Sequence, residues 1–267
     1  MKLLPDYKRV IYEKNPLVEV VCQLRFPVTL SIEAELPVEF QKGISERFPL
    51  FEERKELHQT ISGKIDSFPV DINSISNPVS TVTSNKIYVF SSEDNNWMIS
   101  LTRTFISLTA RKYRCWEEFY DYFEKPIELL QKIYGLKSLT RIGLRYIDLF
   151  KKSDLGLSET PWRDLIKTPI AGVLSSEINE SSIDSYNSDF ALSLEEDMQI
   201  FVRTTLLREA RSGELCFMLD SDLFIQTLTA ITESPNILKK LNINANRILQ
   251  FAIKEKLHNA MNPKDPE

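Results

Sequence analysis

The sequence predicts an α+β fold. It should hold two βαβββ-like halves of mostly antiparallel, curved sheet, with helices packed on one face and a C-terminal helix. Three observations carry this expectation. From Asn15 to Pro27, "NPLVEVVCQLRFP" alternates, with Val18, Val20, Cys22, Leu24 and Phe26 on one side and Glu19, Val21, Gln23 and Arg25 on the other. That is the period-two pattern of a half-buried strand. In "WEEFYDYFEKPIELLQKIYG", Trp116, Phe119, Tyr120, Phe123, Ile127, Leu130 and Tyr134 recur at threes and fours, the apolar stripe of a helix. Finally, the order strand, helix, strand, then more strands occurs twice before a closing helix, which fits segregated helices and sheet better than alternating βα units.

The elements follow in order. After the opening strand, Ser31 is placed as an N-cap, and Leu36, Phe40 and Ile44 repeat every four residues. This reads as an amphipathic helix, restarted at Pro37 and stopped before Pro49. "ELHQTISGKID" reads as a strand, and the Ser-, Asn- and Pro-rich run that follows it as a loop. Three strands are expected at Lys86–Ser91, Trp97–Thr102 and Phe105–Tyr113, with "SSEDNN" as a hairpin turn. The aromatic helix then has Glu117 and Glu118 in its first turn, where the helix dipole favours anions, and Gly135 at its C-terminal cap. Pro126 removes one internal donor and is expected to kink it.

Leu139 to Phe150 reads as a strand, "SETPWRDLI" as a short helix starting at Pro161, and Phe190–Leu194, Met198–Leu207 and Leu215–Asp222 as three more strands. The last helix opens at Ser234 and Pro235. Its stripe is Leu238, Leu241, Ala245, Ile248, Leu249 and Ala252, and the tail "NPKDPE" is expected to fray. Divided by element order, residues 1–104 form one half and 105–267 the other, as one compact unit. Sliding-clamp-like and ferredoxin-like folds share such element orders, which says nothing of function.

Composition narrows the classes. A chain of 267 residues with 42% hydrophobic content can bury a sizeable core. A net charge of −5 argues against broad nucleic-acid binding, which needs many Lys and Arg to neutralise phosphate. Cys22, Cys115 and Cys216 are far apart and sit among apolar or aromatic neighbours, so three reduced thiols and a cytoplasmic location are expected. "MKLLPDYKRV" has only a two-residue apolar run, too short for a signal peptide, and no window approaches the ~18 apolar residues of a membrane span. Seven glycines, scattered, offer no phosphate loop or dinucleotide fingerprint, so no cofactor is expected.

Two blocks are distinctive: Tyr12 to Phe26, "YEKNPLVEVVCQLRF", and Arg141 to Asp148, "RIGLRYID". Together with the "WEEF" helix before the second block, they resemble an uncharacterised, sporadically distributed bacterial family of about this chain length. The resemblance implies a horizontally moving gene of the kind found in defence or mobile islands. It implies no catalytic residues.

Candidate chemistry is thin. The two histidines, His58 on an expected strand and His258 at the end of the last helix, lie near no recognisable nucleophile or ligand pair. "EED", Glu195 to Asp197, reads as a solvated turn. Asp220 and Asp222 put two carboxylates on one face at a strand end, a weak Mg²⁺ signal that a turn or sheet edge explains as well. Arg141 and Arg145 share a strand face, and Arg25 sits on the first strand with Glu19 and Gln23 on its face. Arg103, Arg111 and Arg114 flank the central strand, and Arg203 and Arg208 flank "TTLL".

If the sheets curve around a groove, Arg25, Arg141, Arg145 and Glu19 could form a phosphate or carboxylate site. The competing role is cross-strand pairing, with Glu19, Asp148 and Glu209 as partners. The reading that follows is a non-enzymatic binding or regulatory protein working through protein–protein contact. Its partner would be encoded by a neighbouring gene, as for an accessory or antitoxin-like component of a defence module. The alternative is a nucleotide or nucleic-acid sensor or enzyme using the arginines. A homo-oligomeric scaffold sharing sheet edges is a third option.

Overall fold

The computed structural model describes residues 4–57, 84–194 and 197–265. The strand and helix order is β1 (Ile11–Tyr12), β2 (Leu17–Arg25), α1 (Ser31–Ala34), α2 (Val38–Ile44), β3 (Leu50–Leu57), β4 (Ser84–Ser91), β5 (Trp97–Leu101), β6 (Phe105–Ala110) and α3 (Trp116–Tyr134). It continues with β7 (Ser138–Leu139), β8 (Arg141–Phe150), α4 (Thr168–Ala171), β9 (Tyr186–Ser193), β10 (Met198–Arg208), β11 (Leu215–Ile225), β12 (Thr229–Ala230), α5 (Ser234–Ala252), α6 (Glu255–Ala260) and β13 (Pro263–Lys264). The fold is α+β, as the alternation and the stripes predict.

Nine strands form one curved antiparallel sheet in the order β3-β4-β5-β6-β2-β8-β11-β10-β9. Each half is a meander whose last strand returns to pair with the half's first strand: β6 with β2, and β11 with β8. The two first strands then pair with each other, Cys22 opposite Leu144 and Val20 opposite Tyr146. The division at 104/105 taken from element order cuts the first meander just before β6. Strand pairing instead groups residues 17–134 and 141–252. The two distinctive sequence blocks therefore lie on adjacent strands at the centre of the sheet.

Helices cover one face. Phe40 of α2 meets Phe90, Phe119 of α3 meets Trp97, and Tyr146 donates to Asn242 of α5 at 2.8 Å. The core holds Val20, Cys22, Leu24, Leu108, Leu144, Leu219, Leu223, Phe119 and Phe123, all essentially inaccessible. Alternation puts the strand residues there, since every second one points at the helices, and the apolar stripe of α3 supplies Phe119 and Phe123.

Several local expectations are corrected. Val18 does not continue the buried row, because the β2–β8 register shifts between Leu17 and Glu19 and leaves it 43% exposed. This is the local effect of a bulge. The helix expected from Ser31 breaks between Ala34 and Val38, and Leu36 in the break is 56% exposed while Phe40 and Ile44 are buried. β3 begins at Leu50, ahead of the strand expected from Glu56. Residues 58–83, with His58 and most of the expected loop, lie outside the described residues, as do Glu195 and Glu196. Helix α3 runs continuously through Pro126 and ends on Gly135 at φ 64°. Ser234 does not cap α5; its hydroxyl donates to the Ile231 carbonyl at 2.7 Å. The closing helix breaks at Ile253–Lys254. The described part of the tail is held rather than frayed, since Pro263 and Lys264 pair with Tyr12 and Ile11.

The β2–β8 seam makes a cooperative unit the expected behaviour. Leu144→Ala should cost about 2–5 kcal/mol. Urea unfolding followed separately through Trp97 and Trp116, and through Trp162, should give coincident midpoints. Two separated midpoints would mean that the halves fold independently.

Candidate functional site

The helix-free face of the central strands carries every candidate arginine and aspartate of the arginine and metal proposals. Odd-numbered residues of β2 and β8 point there, with Arg25 opposite Arg141, Gln23 opposite Gly143, Val21 opposite Arg145, and Glu19 opposite Ile147. On β11, Asp222 lies opposite Arg145 and Asp220 opposite Ile147. The arginines do not bond straight across. Arg145 leans one step along the sheet to grip Asp220 with two bonds, Nε at 2.7 Å and Nη2 at 2.6 Å. Arg141 leans the same way, over Gly143, to reach Asp222 at 2.8 Å, with its guanidinium 4.5 Å from the Phe224 ring centre.

Gly143 makes this path available. A Cβ there would stand 2.3 Å from Nη1 of Arg141. Burial sets the charge states. Asp220 raises the Arg145 guanidinium above its ordinary pKa, chiefly through the hydrogen bond. The Asp222 carboxyl is pushed up by burial, against the pull of Arg141 and Arg145. Glu19 adds a weaker attraction on Arg145. Arg25 is exposed, and its Nε donates to Gln23 at 2.8 Å.

Asp220 and Asp222 sit in mid-strand rather than at a strand end, and each carries an arginine. Among the described residues no three His, Cys, Asp or Glu side chains gather as a metal site would require. Arg203 on β10 lies opposite Asp220 and so stands on this same face. Three of the other flanking arginines are held elsewhere. Arg103 lies 3.6 Å from Glu33, Arg114 bonds Glu118, and Arg208 donates to the Gly213 carbonyl. Glu209 pairs with Lys151. His258 accepts or donates at Nδ1 to the Tyr12 hydroxyl, 2.8 Å away. The described cysteines are free thiols; Cys22 and Cys216 are buried, and Cys115 is half-buried.

The sequence reading missed a second site, on the helix side of the same strands. Asp148 points away from the arginines and is 3% exposed. Its Oδ1 is buried with no hydrogen-bond partner. It lines a cavity of about 120 Å³ between the N-terminal segment, β8 and α5, together with Tyr12, Tyr113, Tyr146, Asn242 and Asn246. Burial, reinforced by the nearby charge of Asp220, pushes its carboxyl up to about 8. The Tyr113 and Tyr146 rings meet edge to face, 5.8 Å apart at 86°. Asn15 is pinned by its own turn, accepting from the Leu17 N–H and donating to the Tyr113 carbonyl. The tyrosine and asparagine of the first distinctive block thus meet the tyrosine and aspartate of the second in one cavity.

No protein-family model and no curated protein matches the chain. Among the described residues no helix is long and apolar enough to cross a membrane.

Two outcomes follow from this geometry. Gly143→Ala should dislodge Arg141 from Asp222 and cost about 2 kcal/mol, the scale of leaving a buried charged group without its partner. In an Arg141→Ala background the same change should be silent or mildly stabilising, because alanine suits a strand better than glycine. Denaturant titration of the four-member cycle reads the coupling, and additive effects would refute the contact.

Asp148 binds a proton more tightly folded than unfolded. The folded state therefore holds the extra proton between about pH 4 and about pH 8, and stability falls as pH rises through that window. The slope is at most roughly 1.4 kcal/mol per pH unit. Asp148→Asn should remove this part of the slope and gain most in stability near the alkaline end. Parallel stability–pH profiles for the two proteins would contradict it.

Proposed function

We propose that this chain is a non-enzymatic binding or regulatory protein that acts through protein–protein contact, as an accessory or antitoxin-like component of a bacterial defence or mobile-island module. The observation that carries the contact reading is an apolar run on the outside of the first half. Val28, Leu30, Leu36, Val38, Leu50 and Phe51 are all exposed, Leu30 by 67%. All six lie in residues 28–51, which lead from the end of β2 through α1 and α2 into β3. That stretch is docked on β4, through the Lys86 N–H to Glu33 and through Phe40 on Phe90.

β3 is the end strand of the sheet among the described residues, and an end strand offers unpaired backbone groups to another chain. Glu33, Glu35, Glu39, Glu46, Glu52 and Glu53 stand in or beside the stretch, against Lys42, Arg47 and Arg54. The fitting partner is therefore an apolar surface with a basic rim. The defence setting is supported by the resemblance of the β2 and β8 blocks to a scattered bacterial family. The sensor alternative asks for guanidinium groups aimed at a ligand. Arg141 and Arg145 lie along the sheet on Asp222 and Asp220, which favours the protein-contact reading.

The test is co-purification of the tagged chain with the products of its adjacent genes. One neighbour should be retained, and Leu30→Asp with Leu36→Asp should lower its capture at least roughly tenfold without changing the unfolding midpoint. Retention of no neighbour, or equal capture by the variant, would sink this reading. Light scattering of the chain alone gives the competing result, a homo-oligomer that the double variant dissociates.

A further inference from the structure

We propose that the cavity beneath Tyr146 is a binding site for a small organic ammonium ion, with the Asp148 carboxylate as counter-charge and the tyrosine rings as walls. The size fits. A dry cavity of roughly 150 Å³ can hold benzene, so one of about 120 Å³ suits an ion of about five non-hydrogen atoms.

The chemistry fits better than a neutral or anionic occupant. Asp148 is buried, one of its oxygens has no partner, and among the described residues no cationic side chain pairs with it. A buried carboxyl of this kind is costly unless something supplies charge or a donor. Two guanidiniums border the cavity, and both are committed elsewhere. Arg9 is held by both oxygens of Glu117 at 2.8 and 2.9 Å, and the Nε of Arg114 by Glu118 at 3.2 Å. The Tyr113 and Tyr146 rings, packed edge to face, line the cavity, and an aromatic lining attracts cations through its ring faces. Tyr146 directs its hydroxyl to Asn242, which fixes that ring.

Binding of a cation favours the charged carboxylate, so it should expel the proton that Asp148 otherwise holds below about pH 8. Affinity for a permanently charged ligand then rises with pH, close to tenfold per unit while the carboxyl is mostly protonated. The other groups around Asp148 are accounted for. The Tyr12, Tyr113 and Tyr146 hydroxyls are raised above their ordinary value by burial and stay protonated through the window. His258 stands behind Tyr12 and is tested by His258→Gln. Cys115 borders the cavity and is tested by Cys115→Ser. Asp220 acts through the sheet from the opposite face and is neutralised by Arg145. Lys167 lies over Tyr7, with its Nζ on the Gln250 carbonyl.

The experiment titrates the full chain with tetramethylammonium by calorimetry, at constant ionic strength, from about pH 6 to about pH 8, in two buffers of different ionisation enthalpy. Saturable one-to-one binding is expected, with affinity rising close to tenfold per pH unit and close to one proton released per ion bound. tert-Butanol, the neutral molecule of the same shape, should bind at least roughly tenfold more weakly. Asp148→Asn should bind tetramethylammonium no better than tert-butanol, while His258→Gln and Cys115→Ser should keep the wild-type pH slope.

No binding, equal affinity for tert-butanol, a pH-independent affinity, or wild-type affinity in Asp148→Asn would each overturn the proposal. The pH series uses unaltered protein, so the test stands even if a variant fails to fold. Failure here would leave the partner-binding reading intact, because Leu30 and Leu36 lie outside this cavity.

Discussion

The antiparallel pairing of β2 with β8 is the contact on which the rest depends. Among the described residues it is the one ladder that joins the two meanders of the main sheet. It also fixes which side chain faces which way. A strand shifted by one residue exchanges its faces, so a slip of β8 on β2 would move Leu144 to the open side and drive Arg145 into the core. The buried row Val20, Cys22, Leu24 against Tyr146, Leu144, Ile142 makes such a slip expensive. The arginine–aspartate set and Asp148 all sit on this registered pair or on its neighbour β11.

The two faces handle buried charge differently. On the open face, arginine and aspartate meet with short, partly bidentate bonds, and a glycine clears the path for one of them. Such pairs offset the cost of removing water from charge but seldom add much net stability. Their contribution is to fix the arrangement, since Arg141 and Arg145 lean in the same direction and hold β8 on β11. On the helix face Asp148 has no such partner among the described residues, and its proton takes the place of a counter-ion.

Much of the fold was legible in the sequence, because period two and period 3.6 are direct consequences of backbone geometry. "VEVVCQLRF" and "IGLRYIDLF" are nearly complete strands, and the aromatic stripe marks α3 from Trp116 to Gly135. The pairing of the sheet was not legible. Nothing in residues 105–110 says that they close the first meander, because strand order is set by long-range packing. The site was half legible. Arg141, Arg145, Asp220 and Asp222 were picked out as two separate candidates, and only the β8–β11 register makes them one set. Asp148 was offered as an arginine partner, yet it stands three residues from Arg145, an odd number that puts it on the opposite face. That signal was present in "RYID" and would have pointed to the cavity. Gly143 carried no sequence signal beyond being a glycine inside a strand, which marks a close approach without naming what approaches.

The two faces are coupled through a single sheet layer. Asp220 on the open side raises the proton affinity of Asp148 on the other, and Arg145 grips Asp220 with two bonds. The arginine pair is therefore more than a clasp between strands. By offsetting the charge of Asp220, it limits the repulsion felt by Asp148, the smaller contribution beside burial to that carboxyl's raised proton affinity. A chain selected only for stability would gain by replacing Asp148 with a neutral side chain, because a lone buried carboxyl costs more than it returns. Residues that lower stability without strengthening packing concentrate where a protein binds something. Within this sheet that description fits Asp148 better than the satisfied arginines that first drew attention to these strands.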